Sequence, residues 1–412
     1  MRWLIIALLT LGLAACGDEE KADQQQAPAP PSAPAPQVAT APDCICEAEK
    51  PPQPELTLAP ASFAELPGWS GDEVAAALPA LRASCKALLA QPADSPVGPQ
   101  GLAGTVADWQ AACSALDGQD LRAAIESAFQ PYLVSDRGET SGLFTGYYEP
   151  EVAGSLTKSN GYVWPLYAPP ADLVRVRLGR FRADLEGQNL YGRLDGKELV
   201  PYHDRAAIDA GRVLDGKGLE LLWLDDYVAL FFLQVQGSGI VRFADGSRQR
   251  VGFAAANGLP FTAVGKILKD SGKLQPGQAT AQGVMAWLRQ NQDEGWAVMQ
   301  QNRRYIFFRM IDGPGPIGSQ GVALTPGRSL AVDSSFLPLG APLWLDTTQP
   351  GGTAPLQRLV VAQDTGAAIK GPVRGDLFWG AGEAALAEAG AMQQKGRYWL
   401  LLPLAVAERR TN

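Results

Sequence analysis

Three aspartates near the C-terminal end are the strongest candidates for chemistry. Asp333, Asp364 and Asp376 each adjoin an apolar run typical of a β-strand and lie close to glycines, which let a ligand approach the backbone. A carboxyl group beside apolar surface or another carboxylate has a raised pKa, because its charged form loses water or meets a like charge. A general acid needs such a pKa to hold its proton near neutral pH. The pattern therefore indicates acid–base chemistry by carboxylates, with strand-end aspartates bonded to backbone amides as the alternative.

The residues that follow two of these aspartates suggest different roles. Asp376 is followed by an apolar Leu-Phe-Trp run, whereas Asp364 is followed by Thr365 and Gly366, which can donate hydrogen bonds. We therefore predict that Asp376 is the protonated acid and that Asp364 is its ionised, orienting neighbour. Asp-Thr-Gly is also the loop of aspartic proteases, but those enzymes need two such loops, and Asp333 is followed by two serines. A protease is therefore the weaker hypothesis.

The composition excludes several kinds of site. The chain of 412 residues carries 35 Lys and Arg against 43 Asp and Glu, and the resulting net charge of −8 argues against a nucleic-acid partner. Histidine occurs once, at His203, so a zinc site with two or three imidazoles is excluded. A nucleophile activated by histidine would have to use that single residue. Carboxylates remain the main candidates.

The N-terminal residues resemble a bacterial lipoprotein signal. Arg2 supplies a positive start, residues 3–13 are largely apolar, and Leu-Ala-Ala precedes Cys16. We predict a signal peptide over residues 1–15 and lipidation of Cys16, with an ordinary cleaved signal as the alternative. In Gram-negative lipoproteins, an aspartate directly after the cysteine favours the inner membrane, and here that position is Gly17. The resemblance thus predicts an outer-membrane lipoprotein facing the periplasm.

Residues 16–55 are predicted to form the lipidated start and a linker. The segment is rich in Pro, Ala and Gln and contains little that could be buried, which is typical of an extended spacer. Cys44 and Cys46 lie within it, and two cysteines cannot complete a four-ligand metal site. The linker would hold a folded body away from a membrane surface.

The folded part is predicted to begin with three helices. Asp72 can cap a first helix with apolar residues at three-to-four spacing, the second covers residues 106–116, and the third covers residues 119–129. Cys85 and Cys113 lie on the apolar faces of the first two helices. In an oxidising compartment we expect a structural disulfide between them, with two buried free thiols as the alternative.

After residue 140 the pattern changes to short strands with some helices. Tight hairpins are predicted at Asp195-Gly196 and Asp245-Gly246. Helices are predicted over residues 262–269 and 278–300, and buried strands over residues 305–308 and 398–402. The sequence has no internal repeat of fixed period. Composition alone indicates no more than a periplasmic α+β protein.

Four segments resemble, in order, the motifs of one known family. They are Phe-Thr-Gly-Tyr-Tyr-Glu-Pro at residues 144–150, Leu-Gln-Val-Gln-Gly-Ser-Gly at residues 233–239, Leu-Thr-Pro-Gly-Arg-Ser at residues 324–329, and the three-aspartate block from Asp333 through Asp364 to Asp376. Together with the lipoprotein signal, they resemble the membrane-bound lytic murein transglycosylase A family. The resemblance covers roughly residues 140–405.

This resemblance implies a mainly β fold with α decoration. A double-psi β-barrel domain with N-terminal helices would comprise residues 56–150 and 310–412. A smaller inserted β-domain would comprise residues 151–309. The glycan-binding groove would lie between the two.

The resemblance also implies a reaction and its residues. Lytic transglycosylases cleave the β-1,4 bond between N-acetylmuramic acid and N-acetylglucosamine without water and leave a 1,6-anhydro sugar. Asp376 would act as acid and then as base, Asp364 would assist, and no metal or other cofactor is required. The residues expected to bind substrate are Thr145, Tyr147, Tyr148, Gln236, Gly237, Ser238 and Asp333. Glu149 is expected to have a turn or linker role rather than to be a second catalytic carboxylate.

Two other functions remain open at this point. A non-catalytic peptidoglycan-binding lipoprotein could use the same groove, and a hydrolytic glycosidase could use the same barrel. The expected partners are peptidoglycan glycan strands, a membrane reached through the lipid anchor, and unspecified proteins of cell-wall synthesis or division. A monomer is expected.

Overall fold

A computed structural model of the chain describes residues 53–411 apart from Gln119, Pro276 and Pro314. The predicted signal peptide, Cys16, Cys44 and Cys46 lie outside the described residues. Within those residues, no helix is both long enough and apolar enough to cross a bilayer.

The described residues form seventeen β-strands. They are β1 (Leu56–Pro60), β2 (Phe129–Asp136), β3 (Gly142–Glu149), β4 (Glu151–Ser155), β5 (Trp164–Tyr167), β6 (Val174–Arg177), β7 (Asn189–Asp195), β8 (Glu198–Pro201), β9 (Glu220–Leu224), β10 (Ser238–Arg242), β11 (Arg248–Ala256), β12 (Ile306–Ile311), β13 (Ser329–Ala331), β14 (Pro342–Thr348), β15 (Pro355–Asp364), β16 (Arg374–Ala381) and β17 (Gln393–Pro403).

Ten α-helices accompany these strands in the described part. They are α1 (Leu78–Leu89), α2 (Val106–Ala115), α3 (Leu121–Ala128), α4 (Arg205–Asp209), α5 (Tyr227–Gln236), α6 (Val264–Asp270), α7 (Ala281–Gln290), α8 (Gln292–Gln300), α9 (Gly382–Ala391) and α10 (Leu404–Thr411).

Six strands of the largest sheet close into a barrel. In the order β3, β16, β13, β15, β14 and β17, each strand pairs with the next, and β17 pairs back with β3. Strands β2 and β1 extend the sheet beyond β17. Closure removes the free edges that an open sheet of this size would leave unpaired. The barrel therefore joins strands from both ends of the described chain.

The sequence of β15 explains its place within the barrel. Residues 359–362 are Leu-Val-Val-Ala, and all four are fully buried. A strand with an unbroken apolar run has both faces covered, rather than one face in water. One face of β15 points to the barrel interior, while α1 packs against the other side.

Two further sheets lie between β3 and β13 in the chain. One has the strand order β12, β11, β10, β4, β9 and β5, and the other has the order β6, β7 and β8. The chain passes from the barrel into the first of them at Pro150, because β3 ends at Glu149 and β4 begins at Glu151. Helices α5, α6, α7 and α8 cover the six-stranded sheet with a separate apolar core.

The local predictions agree with the structure in most places. The turns at Asp195-Gly196 and Asp245-Gly246 connect paired strands, and both glycines have positive φ. The helix predicted over residues 278–300 is wrong in one respect, because it divides into α7 and α8 at Asn291. The Asn291 side chain donates to the Trp287 carbonyl at 2.9 Å, which competes with continuation of the helix.

The third predicted helix ends at Ala128, and β2 follows immediately, with Pro131 inside the strand. The structure joins Cys85 and Cys113 of α1 and α2 by a disulfide with a Cα–Cα distance of 5.7 Å. This bond ties the two helices together at a separation of 28 residues.

The predicted capping role of Asp72 is wrong. Helix α1 begins at Leu78 without a side-chain cap, whereas the Asp72 carboxylate accepts two hydrogen bonds from Arg328, at 2.7 and 2.9 Å. It also accepts from the Leu359 amide at 2.9 Å. The Arg328 side chain is only 10% exposed, so its charge requires a buried partner. Asp72 supplies that partner and fixes the N-terminal segment to the barrel.

We expect Asp72→Asn to lower the free energy of unfolding by about 3 kcal/mol, because it leaves the buried Arg328 guanidinium without a negative partner. Denaturant unfolding measures this change. The matched control is Asp117→Asn, which breaks an exposed pair with Arg82. That change should cost less than about 1 kcal/mol. Equal losses in the two variants would contradict the importance of the buried pair.

Candidate active site

Asp376 lies on β16, directly opposite Thr145 of β3 in the parallel pairing of these strands. Its carboxylate accepts a hydrogen bond of 2.7 Å from the Thr145 hydroxyl. The Asp376 side chain is half-buried and faces a cavity. Asp376 is the third residue of β16, so it lies near the start of this strand and not at its end.

Asp364 is the last residue of β15 and is held by more donors. One carboxylate oxygen accepts from the Ser319 amide, the Ser319 hydroxyl and the Thr365 amide, each at 2.9 Å. The other oxygen accepts from the Tyr147 hydroxyl at 2.9 Å. Such bonds stabilise the charged form of a carboxyl group. Four donors therefore favour an ionised Asp364, against one donor at Asp376.

Arg374 bonds to β3, the strand that carries the hydrogen-bond donor of Asp376. It lies two residues before Asp376 on β16, so the two side chains share one face of the strand. Its guanidinium donates to the Thr145 hydroxyl at 2.8 Å and to the Leu143 carbonyl at 3.2 Å. Thr145 thus receives a hydrogen bond from Arg374 and passes one on to Asp376, which fixes the orientation of its hydroxyl.

The two aspartates differ in the interactions that oppose the effect of burial on their pKa values. Burial raises the pKa of Asp376 to about 6, with a further increase from the Asp364 charge, against the Thr145 hydrogen bond and the Arg374 charge. Burial also raises the pKa of Asp364, but its Thr365, Ser319 and Tyr147 hydrogen bonds all lower it. The pKa of Tyr147 is well above its usual range, because the ring is buried and its hydroxyl faces Asp364. Tyr147 is therefore a neutral donor.

The aspartates open into a cavity of about 610 Å³, a volume in the range of small-ligand sites. One wall comes from the barrel, and it includes Asp364, Asp376 and Arg374. The other wall comes from residues of the inserted sheets and helices. The members of this second wall are Arg205, Gln234, Val235, Gln236, Gly237, Ser238, Phe253, Phe261, Asn302, Arg304, Ile306 and Arg309.

Most of the predicted substrate-binding residues line this cavity. The structure brings together five of them with Asp376 and Asp364: Thr145, Tyr147, Gln236, Gly237 and Ser238. Tyr148 is not among the lining residues, because it is buried against Ala385 and Ala389 of α9. Alternation along β3 explains the difference, since Tyr148 points to the opposite face from Tyr147.

Asp333 also lies outside the cavity lining. Its carboxylate accepts from the Ser335 amide and hydroxyl at 3.1 and 2.6 Å, and from the Gly371 amide at 2.9 Å. These bonds tie the turn after β13 to the loop before β16. The structure therefore gives Asp333 contacts that position the loop leading to Asp376, not contacts with the cavity.

The end of α5 brings the inserted part to the cavity. Gly237 caps this helix with φ +80°, a conformation that favours glycine, and its amide donates to the Leu233 carbonyl at 2.9 Å. The preceding Gln236 accepts from the Tyr148 amide of β3 at 3.1 Å. This bond links the inserted part to the barrel strand that carries Thr145 and Tyr147.

Glu149 is buried at the end of β3, just before the chain enters the inserted part. Its carboxylate pairs with Arg250 at 2.9 Å and does not line the cavity. Burial raises the pKa of Glu149, and the Arg250 hydrogen bond and charge oppose that shift. Arg250 also donates to the Gly313 carbonyl at 2.7 Å. The pair thus joins β3 and β11 to the segment that returns towards the barrel.

Among the residues that sequence reasoning missed are two that hold the aspartates or their partner Thr145, namely Arg374 and Ser319. Arg374 has a recognisable signal, because strand alternation places it beside Asp376. Ser319 has none, since it lies in an irregular segment between β12 and β13 and reaches Asp364 only through the fold. Within the described part of the chain, no cluster of three or more His, Cys, Asp or Glu residues could hold a metal ion.

Two family models match the chain. The MltA specific insert domain matches residues 143–309, and the 3D domain matches residues 328–402. The crystal structure of a membrane-bound lytic murein transglycosylase from Agrobacterium tumefaciens is 33% identical in sequence, with a TM-score of 0.75. The comparison covers 86% of this chain and 99% of that one. The chain belongs to the membrane-bound lytic murein transglycosylase A family.

Two further relatives agree with this membership. The membrane-bound lytic murein transglycosylase A of Vibrio cholerae is 33% identical over 267 residues, and the chain spans 65% of its length. That match covers 63% of this chain. The structure of the lytic transglycosylase LtgG of Burkholderia pseudomallei is 40% identical, with a TM-score of 0.56 over 85% of this chain and 97% of that one.

The two family models divide the site between them. The 3D domain match contains Asp333, Asp364 and Asp376. The MltA specific insert domain match contains Thr145 of β3 and Gln236 at the end of α5. The hydrogen bond between Thr145 and Asp376 therefore connects residues of the two matched regions. In this member of the family, the cavity is complete only when both are folded.

The balance of forces at Asp376 predicts opposite pKa shifts in two variants. Thr145→Val removes a hydrogen bond that lowers the pKa of Asp376, so that pKa should rise above about 6. Asp364→Asn removes a like charge, so the pKa of Asp376 should fall. NMR titration of the Asp376 carboxyl carbon measures both shifts.

Thr348→Val is the matched control for this titration, because the Thr348 hydroxyl bonds Gln394 outside the cavity. It should leave the pKa of Asp376 unchanged. Shifts of the same sign in Thr145→Val and Asp364→Asn would contradict the electrostatic account.

Proposed function

We propose that the protein is a peptidoglycan lytic transglycosylase that cleaves the β-1,4 bond between N-acetylmuramic acid and N-acetylglucosamine. The observation that carries the proposal is a pair of unequal carboxyl groups at one cavity. Asp376 has a pKa of about 6 and one hydrogen-bond donor, whereas Asp364 has four. Family membership and the names of the relatives support the same activity.

In the first step, protonated Asp376 donates its proton to the glycosidic oxygen as the bond from that oxygen to the muramoyl C1 breaks. N-acetylglucosamine leaves with a free hydroxyl, and positive charge develops at C1 and the ring oxygen. Burial of Asp376 keeps the proton available for this transfer, because it destabilises the charged carboxylate and so raises the pKa of the group.

In the second step, the Asp376 carboxylate removes the proton from the C6 hydroxyl of the muramoyl sugar. The C6 oxygen forms a bond to C1, which closes the 1,6-anhydro ring and returns Asp376 to its protonated state. No water is consumed, because the nucleophile is part of the substrate. One carboxyl group is therefore sufficient for both proton transfers.

Asp364 has an electrostatic role in this proposal. Its negative charge raises the pKa of Asp376 and stabilises positive charge on the sugar in the transition state. Both of its oxygens already accept hydrogen bonds, from Tyr147 on one side and from Ser319 and Thr365 on the other. A carboxylate so occupied is poorly prepared to attack C1 or to activate water, which disfavours the hydrolase alternative.

We also infer the finer domain organisation. A double-psi β-barrel domain of residues 56–150 and 310–412 is supported by the closed six-stranded barrel, and an inserted domain of residues 151–309 by the two separate sheets. The glycan would lie in the cavity between their walls, in contact with Thr145, Tyr147, Gln236, Gly237 and Ser238. Lipidation at Cys16 and an outer-membrane location facing the periplasm complete the proposal, and the membrane-bound names of the relatives support membrane association.

Asp376→Asn should abolish anhydro product, because the amide keeps the shape of the side chain but cannot donate or accept the proton. We expect a loss of at least about 10⁴-fold in kcat, since both steps use this residue. Asp364→Asn should lose about 10²-fold, because it removes a stabilising charge but keeps the proton carrier. Mass spectrometry of the fragments released from purified peptidoglycan measures both.

Asp117→Asn, an exposed aspartate outside the cavity lining, is the control and should match the unaltered protein. Fragments heavier by one water would identify a hydrolase, and intact peptidoglycan with the unaltered protein would identify a binding protein. An active Asp376→Asn variant would refute the assignment of the acid.

The pH dependence of kcat/KM should follow the protonation of Asp376. Its pKa of about 6 is raised above the ordinary aspartate value, so the proton needed for the first step is present below about pH 6 and is lost as the pH rises. We expect a tenfold fall per pH unit above that value. In Thr145→Val the fall should begin at higher pH. A profile that rises between pH 6 and 8 would contradict the proposal.

A further inference from the structure

The cavity carries an excess of positive charge in an acidic protein. Its lining contains four arginines, Arg205, Arg304, Arg309 and Arg374, but only two carboxylates, Asp364 and Asp376, whereas the whole chain has a net charge of −8. Protonation of Asp376 makes the excess larger. A neutral sugar polymer would not require such an arrangement, and a negatively charged ligand would benefit from it.

Two of these arginines already have partners within the protein. Arg374 donates to Thr145 and faces Asp376. Arg205 is fully buried, lies 3.4 Å from the Asp209 carboxylate and donates to the carbonyls of Asn302 and Arg304. Their charges are used in holding the site together.

Arg304 and Arg309 are different. Within the described part of the chain, no carboxylate lies at salt-bridge distance from either guanidinium, although the neighbouring Arg303 pairs with Asp204 at 3.4 Å. Arg304 is half-buried, and among the described residues its guanidinium makes only a long contact of 3.4 Å to the Leu259 carbonyl. Burial lowers the pKa of Arg304, and the electrostatic interaction with Tyr191 offsets only part of that shift. Arg309 is exposed on β12 and lines the same cavity.

We propose that Arg304 and Arg309 form a carboxylate-binding subsite that recognises the negatively charged groups attached to the muramoyl sugar. This inference rests on the proposed function, because it takes the ligand of the cavity to be peptidoglycan. A planar guanidinium binds a carboxylate through two parallel N–H donors, which gives direction as well as attraction. The subsite lies on the wall opposite Asp376, so a carboxylate held there fixes the glycan across the cavity.

The carboxylate has two chemical sources in peptidoglycan. In a glycan strand without peptides, it is the free lactyl group of N-acetylmuramic acid. In a strand with peptides, the lactyl group is an amide and the carboxylates belong to the peptide. Oligomers of N-acetylglucosamine carry neither. The subsite would therefore distinguish peptidoglycan from neutral polymers with the same β-1,4 linkage and the same N-acetyl groups.

Binding to the Asp376→Asn protein tests the subsite without turnover. The probes are peptide-free glycan strands, peptide-bearing glycan fragments and the hexamer of N-acetylglucosamine. We expect Arg304→Gln and Arg309→Gln each to raise the Kd for at least one carboxylate-bearing probe about tenfold, and to change the Kd for the hexamer less than twofold. Raised salt should weaken binding of the same probe. Arg309→Lys should recover part of the loss, because it restores the charge without the paired donors.

Arg177→Gln is the control, because Arg177 is exposed on β6 outside the cavity lining. A loss with peptide-free strands assigns the lactyl carboxylate, and a loss confined to peptide-bearing fragments assigns the peptide. Equal weakening of the hexamer, or unchanged Kd values for both carboxylate-bearing probes, would overturn the inference. Anhydro product from the unaltered protein is measured in parallel, so failure of the subsite is distinguishable from failure of the proposed reaction.

Discussion

Thr145 and Asp376 are 231 residues apart in the chain, and the parallel pairing of β3 with β16 places them opposite each other. The same pairing closes the barrel, because β3 also pairs with β17. Parallel strands cannot be joined by a tight turn, so a long connection between them is required. Here that connection includes the inserted sheets, which supply the second wall of the cavity. The pairing of β3 with β16 therefore contributes to closing the barrel, places Asp376 beside Thr145 and leaves the inserted part as the second wall of the cavity.

The proposed chemistry of the site depends on two aspartates, Asp364 and Asp376, that accept different numbers of hydrogen bonds. Burial raises the pKa of both aspartates, and the number of donors then separates them. Asp364 lies at a strand end, where the Thr365 amide and the irregular segment at Ser319 are free to donate. Asp376 lies within a strand, where neighbouring backbone amides are used in sheet pairing. Position within the secondary structure therefore sets the proton distribution.

The sequence alone was sufficient for features that depend on local pattern or on a motif. The hairpin glycines, the apolar run of β15, and the meeting of Asp364 and Asp376 at one cavity belong to this group, while the roles of the two aspartates stay predictions. Features that depend on distant partners were not accessible. Asp72 has the residue type and position of a helix cap, yet buried Arg328 takes its carboxylate. Tyr148 lies beside Tyr147 in the motif, but only the register of β3 decides which ring reaches the cavity.

The division of the barrel between two distant segments also sets an order of events during synthesis. A chain that has emerged only as far as Val373 contains the whole inserted part and most of the barrel, but it lacks strands β16 and β17, and with them Asp376. Because β17 pairs with β2, β3 and β14, the barrel cannot close until the last strand arrives. An incomplete or prematurely ended chain therefore has neither Asp376 nor a closed barrel, and under the proposed function it could not cleave a glycan.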